Sequence, residues 1–385
     1  MIAYLDNSAT TRAFDEVAQL VAKVMTEEYG NASSVHHMGT VSGSRLFSSR
    51  EMIAATLKVD PAEIVFTSGG TESDNMAILG TAKANAWRGK HIITTSIEHP
   101  AVLETCGELQ RQGFEITYLP VDETGVVRLQ DLKDAIREDT ILVSMMFVNN
   151  EIGAIEPIEE AGKLIKSVNP QIVFHVDAVQ AYGKITIRPR TMNIDLLAVS
   201  SHKIHGPKGV GFLYIKKGTK ITPIVYGGGQ QKGMRSGTEN VPGIAGMALA
   251  AKMCYEDFDE KIKRLYELKK YLMEGLTQKI TDIRLNGPEC EKGAPHIVSV
   301  SIKGLAAETI LNMLSSKEIY VSAGSACTSN NPHVSDTLKA IGLDKNLLES
   351  TIRISMSTQT TKEEIDYLLE VLSSQIETMR KFYRH

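Results

Sequence analysis

Cysteine is scarce and scattered in this chain, and that scarcity excludes most covalently stapled architectures. Cys106, Cys254, Cys290 and Cys327 lie far apart and form no CxxC pair, which argues against a structural zinc site and against a secreted disulfide framework. A reducing cytoplasm is the expected compartment. Apolar runs of bilayer-spanning length are also missing. The opening MIAYLDNSATTRAFDE carries acids and hydroxyls where a signal sequence has a basic and then an apolar stretch, so no membrane is expected. Nor is there an excess of charge of one sign. A formal net charge of −4 on 385 residues exerts no global pull on nucleic acid or anionic lipid. Partners must be recognised locally, and no direct nucleic-acid contact is expected. His36 with His37, and His202 with His205, lack the cysteines or acids that would complete a zinc site, so no metal is expected either.

What is present is an ordinary globular composition, 42% hydrophobic and 23% charged, on a chain longer than the roughly 250–300 residues at which one core stops growing. Two domains are expected. Short β-branched runs recur at EIVFT (63–67), HIITT (91–95), EITYL (115–119), ILVSMMF (141–147), IVFHV (172–176), DLLAV (195–199) and VGFLYI (210–215). Segments of helical period lie between several of them, such as Phe14, Val17, Leu20, Val21, Val24 and Met25, or residues 101–112. This alternation predicts an α/β fold with a mainly parallel seven-stranded sheet covered by helices on both faces. Beyond Gly243 the texture changes to a long charged periodic stretch through Lys279, the strand-like HIVSVSI (296–302), and a terminal helix opening on a capping box, Thr361 with Glu364. The predicted division is a large domain over 13–255 and a smaller α+β domain built from 1–12 and 256–385.

Four segments carry candidate chemistry. SSHKIHGPKG places Lys203 at a strand exit before a glycine-rich turn. A lysine there is ordinarily solvated, but burial or neighbouring cations, for which His202, His205 and Lys208 are candidates, lower its proton affinity and make it a nucleophile. In IVFHVDAVQ, Asp177 follows a strongly apolar strand, where an unpaired carboxylate is costly. It either caps the next helix or meets a cation, and a protonated pyridine nitrogen is one such cation. TSGGTE runs from a strand into a helix, so the backbone around Gly70 and the hydroxyl of Thr71 can close around a phosphate. Cys327 lies in SAGSACTSNNP, whose small and polar residues predict an exposed loop and an accessible thiol.

Together with YLDNSATT, YGNASSVHHMG, EHPAV, VNNEIG, RSGTEN and STIRIS, in order along the chain, these segments resemble the cysteine desulfurases of the NifS and IscS type within the class V aminotransferases. The resemblance implies a fold-type I pyridoxal 5'-phosphate-dependent transferase that converts L-cysteine to L-alanine. By it, Lys203 matches the lysine that binds the cofactor covalently, Asp177 the acid on the pyridine nitrogen, Gln180 the residue at the ring hydroxyl, and His99 the histidine stacked on the ring. Gly70, Thr71, Ser200 and His202 match phosphate contacts, and Thr238 a phosphate contact supplied by the other subunit of a homodimer. Asn150 matches a cofactor-side residue, Asn31 a substrate contact, and Arg353 the clamp on the substrate carboxylate. Cys327 matches the thiol that accepts sulfur as a persulfide and passes it to an acceptor such as an iron–sulfur scaffold or a tRNA thiolation enzyme. Two departures stand out: Ala32 occupies a position where proline is usual, and SMSTQTT follows Arg353 where a glycine-arginine-phenylalanine stretch is common. The competing readings are another enzyme of the same family, for which no thiol at 327 is needed, and a scaffold without turnover.

Overall fold

A computed structural model describes residues 1–323 and 335–383. In chain order its strands are β1 (Ala3–Tyr4), β2 (Ile64–Thr67), β3 (His91–Thr95), β4 (Glu115–Leu119), β5 (Thr140–Met146), β6 (Val173–Asp177), β7 (Leu196–Ser200) and β8 (Gly211–Ile215). Five more follow: β9 (Ile283–Asn286), β10 (Ile297–Ile302), β11 (Ile319–Tyr320), β12 (Ser322–Ala323) and β13 (Thr351–Ser355). The seven predicted runs become β2 to β8 and form one sheet, ordered β2-β8-β7-β6-β5-β3-β4. Strand β8 is antiparallel to both neighbours; the remaining pairings are parallel.

Alternating side chains explain why these runs read as almost continuously apolar. Phe66, Val143, Phe174, Leu197 and Phe212 pack into a core with Ile53, Leu57, Met247 and Ala251, from the helices His37–Leu57 and Val241–Tyr255. Their neighbours Val65, Leu142, Val173, Leu196 and Leu213 pack into a second core with Met76, Val102 and Leu109, from the helices Gly70–Asn85 and Pro100–Arg111. Every residue of β5, β6 and β7 is buried, as a strand covered on both faces requires. Edge strand β4 exposes Glu115 and Tyr118 instead.

A second assembly contains the antiparallel sheet β12-β13-β10-β9 and the short parallel pair β1-β11. Val298, Val300, Ile352 and Ile354 share a core with Leu272 and Leu276 of the helix Phe258–Lys279 and Leu368 and Leu372 of the helix Lys362–Tyr383. The predicted capping box is formed: Thr361 N–H donates to Glu364 Oε2 at 2.8 Å and Glu364 N–H to Thr361 Oγ1 at 3.3 Å. The stretch after Gly243 divides into two helices, the first ending where Glu256 turns extended at ψ 133° and the second starting after Asp257 at φ 49°. No described helix is long and apolar enough to cross a membrane.

The parallel arrangement fixes where chemistry can gather. The carboxyl ends of β3, β5, β6 and β7 lie on one edge of the sheet, and β2, antiparallel to β8, ends there too. Thr67, Asp177 and Ser200 therefore reach the same edge from three strands, as ligand sites in open α/β sheets do.

Candidate active site

Lys203 closes a short 3-10 turn, Ser201–Lys203, directly after β7. Its Nζ donates to the carbonyls of Ser8 at 2.5 Å and Ala9 at 2.8 Å, so the N-terminal segment is one wall of the site. Thr11 locks that wall in place: its N–H and its hydroxyl both reach the His202 carbonyl, at 2.9 Å each. The cations expected beside Lys203 need correction. His202 and His205 are pushed down to about 4 by burial and are neutral near pH 7. A charged neighbour comes instead from Lys184, whose Nζ donates to the Lys203 carbonyl at 2.9 Å and is pushed down to about 8 by burial.

Asp177 ends β6, and its Oδ1 accepts the Val179 N–H at 2.8 Å. Burial raises its proton affinity, while that hydrogen bond, His99 and Lys203 pull it back down. Both alternatives raised by the sequence are thus partly present: a local turn bond, and a buried carboxylate for which a pyridinium is a fitting partner. His99 caps the helix Pro100–Arg111, its Nδ1 accepting the Ala101 N–H at 3.1 Å. That cap assigns the ring proton of neutral His99 to Nε2. Burial lowers its proton affinity, opposed by Asp177 and reinforced by Lys203.

TSGGTE, where a phosphate cradle is expected, leads into the start of the helix Gly70–Asn85. No side chain caps that helix, and its N-cap Gly69 has φ 156° and ψ −173°, a region open to glycine alone. A Cβ on Gly70 would sit 2.7 Å from Val179 Cγ2 and 3.6 Å from Ser200 Cβ, so Gly70, Ser200 and the turn after Asp177 converge. Uncapped N–H groups with glycine at close approach are what a phosphate requires. Glu72 in the first turn is engaged elsewhere, in a two-point ion pair with Arg235 at 2.7 and 3.3 Å.

Arg353, in the middle of β13, is buried. Its Nη2 reaches Asp6 Oδ1 and its Nη1 the Asn150 carbonyl, both at 2.9 Å, while Nε has no hydrogen-bond partner. A buried guanidinium with an unused N–H suits a carboxylate ligand. Gln180 is held from both ends: Nε2 donates to Ser8 O at 3.0 Å, and Oε1 lies 3.3 Å from His296 Nε2.

The fold therefore brings Gly70, His99, Asn150, Asp177, Gln180, Ser200, His202, Lys203 and Arg353 around one sheet edge. Thr71 follows Gly70 with an exposed side chain. Among the described residues no hydrogen bond ties Asn31 or Thr238 to this group. Asn31 is exposed and its Oδ1 accepts the Ser33 N–H at 2.9 Å, while Thr238 is exposed three residues beyond Arg235. Cys327 lies outside the described residues. Sequence reading missed Asp6, Asp74, Glu98, Lys184, His175 and His296. Several of these stand in the quoted motifs, yet nothing in the letters marks Asp74, Glu98, Lys184, His175 and His296 as buried.

A family model described as Aminotransferase class-V matches residues 3–368. Among curated proteins, a cysteine desulfurase IscS of Dictyoglomus turgidum is 46% identical over 377 residues, 98% of this chain and 95% of the relative. A cysteine desulfurase IscS of Methanosarcina thermophila is 46% identical and covers 98% and 92% of the two chains. Of solved structures, a NifS-like protein superposes with a TM-score of 0.93 at 40% identity, covering 98% of this chain and all of the other. A structure described as SspA in complex with cysteine superposes with a TM-score of 0.79 at 32% identity, covering 93% and 100%.

Proposed function

This chain belongs to the class V aminotransferase family, and we propose that it is a cysteine desulfurase that uses pyridoxal 5'-phosphate to convert L-cysteine to L-alanine. The observation that carries the reading is the meeting of a lysine, a buried aspartate and an uncapped glycine-led helix N-terminus on one sheet edge. Relatives named cysteine desulfurase, at 46% identity over nearly the whole chain, support it. So does the solved relative in complex with cysteine.

Pyridoxal phosphate, when bound, supplies an aldehyde carbon that takes up an amine and a ring that withdraws electrons from it. Lys203 would supply the protein's amine to that carbon, and its Nζ, once free and neutral, would be the base for the proton on the cysteine Cα. With the cofactor bound, Asp177 would hold the ring nitrogen in its protonated form, and His99, its proton on Nε2, would face the ring. The helix N-terminus at Gly70 and Thr71, with Ser200 and His202, holds the phosphate. Arg353 directs its unused N–H at the substrate carboxylate, with Asn31 and Asn150 beside the substrate. The Cys327 thiolate would attack the substrate sulfur, so that the persulfide S–S bond forms as the substrate Cβ–S bond breaks, and the electron pair left on Cβ takes up a proton to give the methyl group of alanine.

The reading extends to organisation and partners. Residues 13–255 form a large domain, and residues 1–12 with 256–385 a small one, supported by the pairing of β1 with β11. The protein works as a homodimer in which Thr238 completes the partner subunit's phosphate site; exposed Tyr29, Val35, Phe47 and Tyr226 are apolar surface a second copy can cover. It acts in the cytoplasm and passes sulfur to an acceptor protein for iron–sulfur or thio-tRNA synthesis. The test is to supply L-cysteine to the reconstituted enzyme and measure alanine and protein-bound sulfane sulfur. One-for-one formation is expected, with the sulfane sulfur lost in Cys327→Ala. Transamination without sulfur release, or unchanged sulfur transfer in that variant, would overturn the reading.

A further inference from the structure

We propose that His296 is a positioning residue that fixes the amide of Gln180, so that a Gln180 N–H, and not its carbonyl oxygen, faces the Ser8 carbonyl beside Lys203. The proposal rests on the reading of Lys203 and Gln180 as cofactor-facing groups.

His296 is fully buried, one residue before β10, and its backbone is fixed by the Met356 N–H donating to its carbonyl at 2.8 Å. Burial, with the cations Lys184, Lys269, Arg353 and Lys203 around it, holds the ring well below its ordinary proton affinity. The imidazole is therefore neutral and carries one proton. Nε2 lies 3.3 Å from Gln180 Oε1, and Nδ1 has no hydrogen-bond partner. With the proton on Nε2, His296 donates to Oε1 and only a lone pair is left unmatched. With the proton on Nδ1, a buried N–H is stranded without an acceptor. Turning the amide over would also point Oε1 at the Ser8 oxygen, 3.0 Å from the present Nε2. One arrangement satisfies the chain: His296 Nε2–H to Gln180 Oε1, Gln180 Nε2–H to Ser8 O, and Lys203 Nζ–H to the same oxygen at 2.5 Å. The same amide nitrogen then carries a second N–H donor.

This links β10 of the small sheet to the lysine at the end of β7. Without His296 the amide can turn, and a carbonyl oxygen beside the lysine nitrogen favours that nitrogen's protonated form. The experiment is a pH titration of the visible absorption band of bound pyridoxal phosphate in the wild-type holoenzyme and in His296→Leu, His296→Gln, Gln180→Leu and the Leu/Leu double variant. His296→Leu is expected to raise the midpoint by about one pH unit, a tenfold change. His296→Gln places an amide N–H near the same point and is expected to restore the midpoint. The double variant is expected to match Gln180→Leu alone, because both act through one amide. Wild-type titration in folded His296→Leu, or additive shifts in the double variant, would overturn the proposal. If His296→Leu does not fold, His296→Gln and Gln180→Leu decide: a Gln variant displaced as far as Gln180→Leu overturns it. Borohydride trapping of the cofactor on Lys203 separates the two failures. If Lys203→Ala still traps cofactor, the site reading falls and takes this inference with it; if trapping behaves and the midpoints do not move, only this inference falls.

Discussion

Asp177 and Asp195 sit on neighbouring buried strands, at opposite ends of the sheet, and the fold treats them in opposite ways. Asp195, just before β7, is 6% exposed. Its carboxylate takes Lys166 Nζ, Lys216 Nζ at 3.2 Å and the Phe174 N–H at 2.9 Å. Asp177, the last residue of β6, is 5% exposed, and the chain gives it the Val179 N–H and two neighbours acting at a distance. Its surroundings share the deficit. Asp74 and Glu98 are fully buried and raised well above ordinary carboxyl values by burial, with Asp74 Oδ1 and Glu98 Oε2 unbonded. His175 is held down at about 3, its Nε2 3.4 Å from Asp74 Oδ1. At the amino edge the chain completes its own charge balance; at the carboxyl edge it leaves unmatched polar groups where a ligand can match them.

The largest effect that tests this contrast is on catalysis. Lys203→Ala is expected to lower cysteine turnover by roughly 10²–10⁴-fold, the range of a lost acid–base group. Lys184 cannot replace it, because its Nζ is bonded to the Lys203 carbonyl. Alanine release from cysteine measures the loss, and near-normal turnover would break the comparison outright. The second effect sets the two aspartates against each other in the cofactor-free protein. Asp195→Asn leaves Lys166 and Lys216 without their anion and is expected to cost about 2–4 kcal/mol in urea unfolding. Asp177→Asn removes a buried charge and is expected to change stability by less than about 1 kcal/mol while weakening cofactor chemistry at least tenfold. Equal destabilisation by the two changes would mean that Asp177 is as structural as Asp195.

The third effect concerns pH. Glu156 is buried, accepts the Val127 N–H at 3.0 Å through Oε2, leaves Oε1 unbonded, and is pushed up to about 8 by burial. The unfolded chain releases this proton near the ordinary carboxyl value of about 4.3. Between those values the folded state binds more protons, so this contribution is full at low pH and is lost as pH rises toward 8. His202 and His205, held at about 4, act in the opposite sense, adding stability as pH rises from there through the ordinary histidine range. Comparing Glu156→Gln with wild type at pH 6.5 and at pH 8 cancels the histidine contribution, which both proteins share. Over that interval Glu156→Gln is expected to gain about 1–2 kcal/mol relative to wild type; a constant difference would show that Glu156 is already ionised.

Much of this contrast is legible in the amino-acid sequence. Strands β2 to β8 stand out because each lies in a short run dominated by apolar or β-branched residues, and their order along the chain implies the parallel sheet. Strands β1, β11 and β12 have two residues each and show no period, so of the small sheets only β10 is visible in the letters. Lys203, Asp177 and Gly70 announce themselves by a charge or glycine at a strand exit. Asp74, Glu98, His175 and His296 do not, since an acid or histidine inside a motif looks the same in the letters whether water or protein surrounds it. The error about His202 and His205 has the same cause: proximity in sequence predicts cations, and burial makes them neutral.

The smallest effect is the sharpest test of the carboxyl edge. A methyl group on Gly70 would meet Val179 Cγ2 at 2.7 Å, closer than side-chain carbons approach, so Val179 or the helix start must shift. Alanine at this first helical position also gains helix propensity of up to about 1 kcal/mol, which offsets the clash in the cofactor-free chain. Gly70→Ala is therefore expected to alter urea unfolding by less than about 1 kcal/mol. The same shift moves N–H groups that a phosphate must contact directly, and it moves the turn that begins at Asp177. Pyridoxal phosphate affinity is expected to fall about 3- to 10-fold, up to about 1.4 kcal/mol. A pyridoxal titration, with the aldehyde but no phosphate, is expected to show a smaller loss, because the helix N-terminus acts on the anion. Equal weakening of both ligands would assign the effect to Asp177 and its turn and remove the phosphate from the Gly70 cradle.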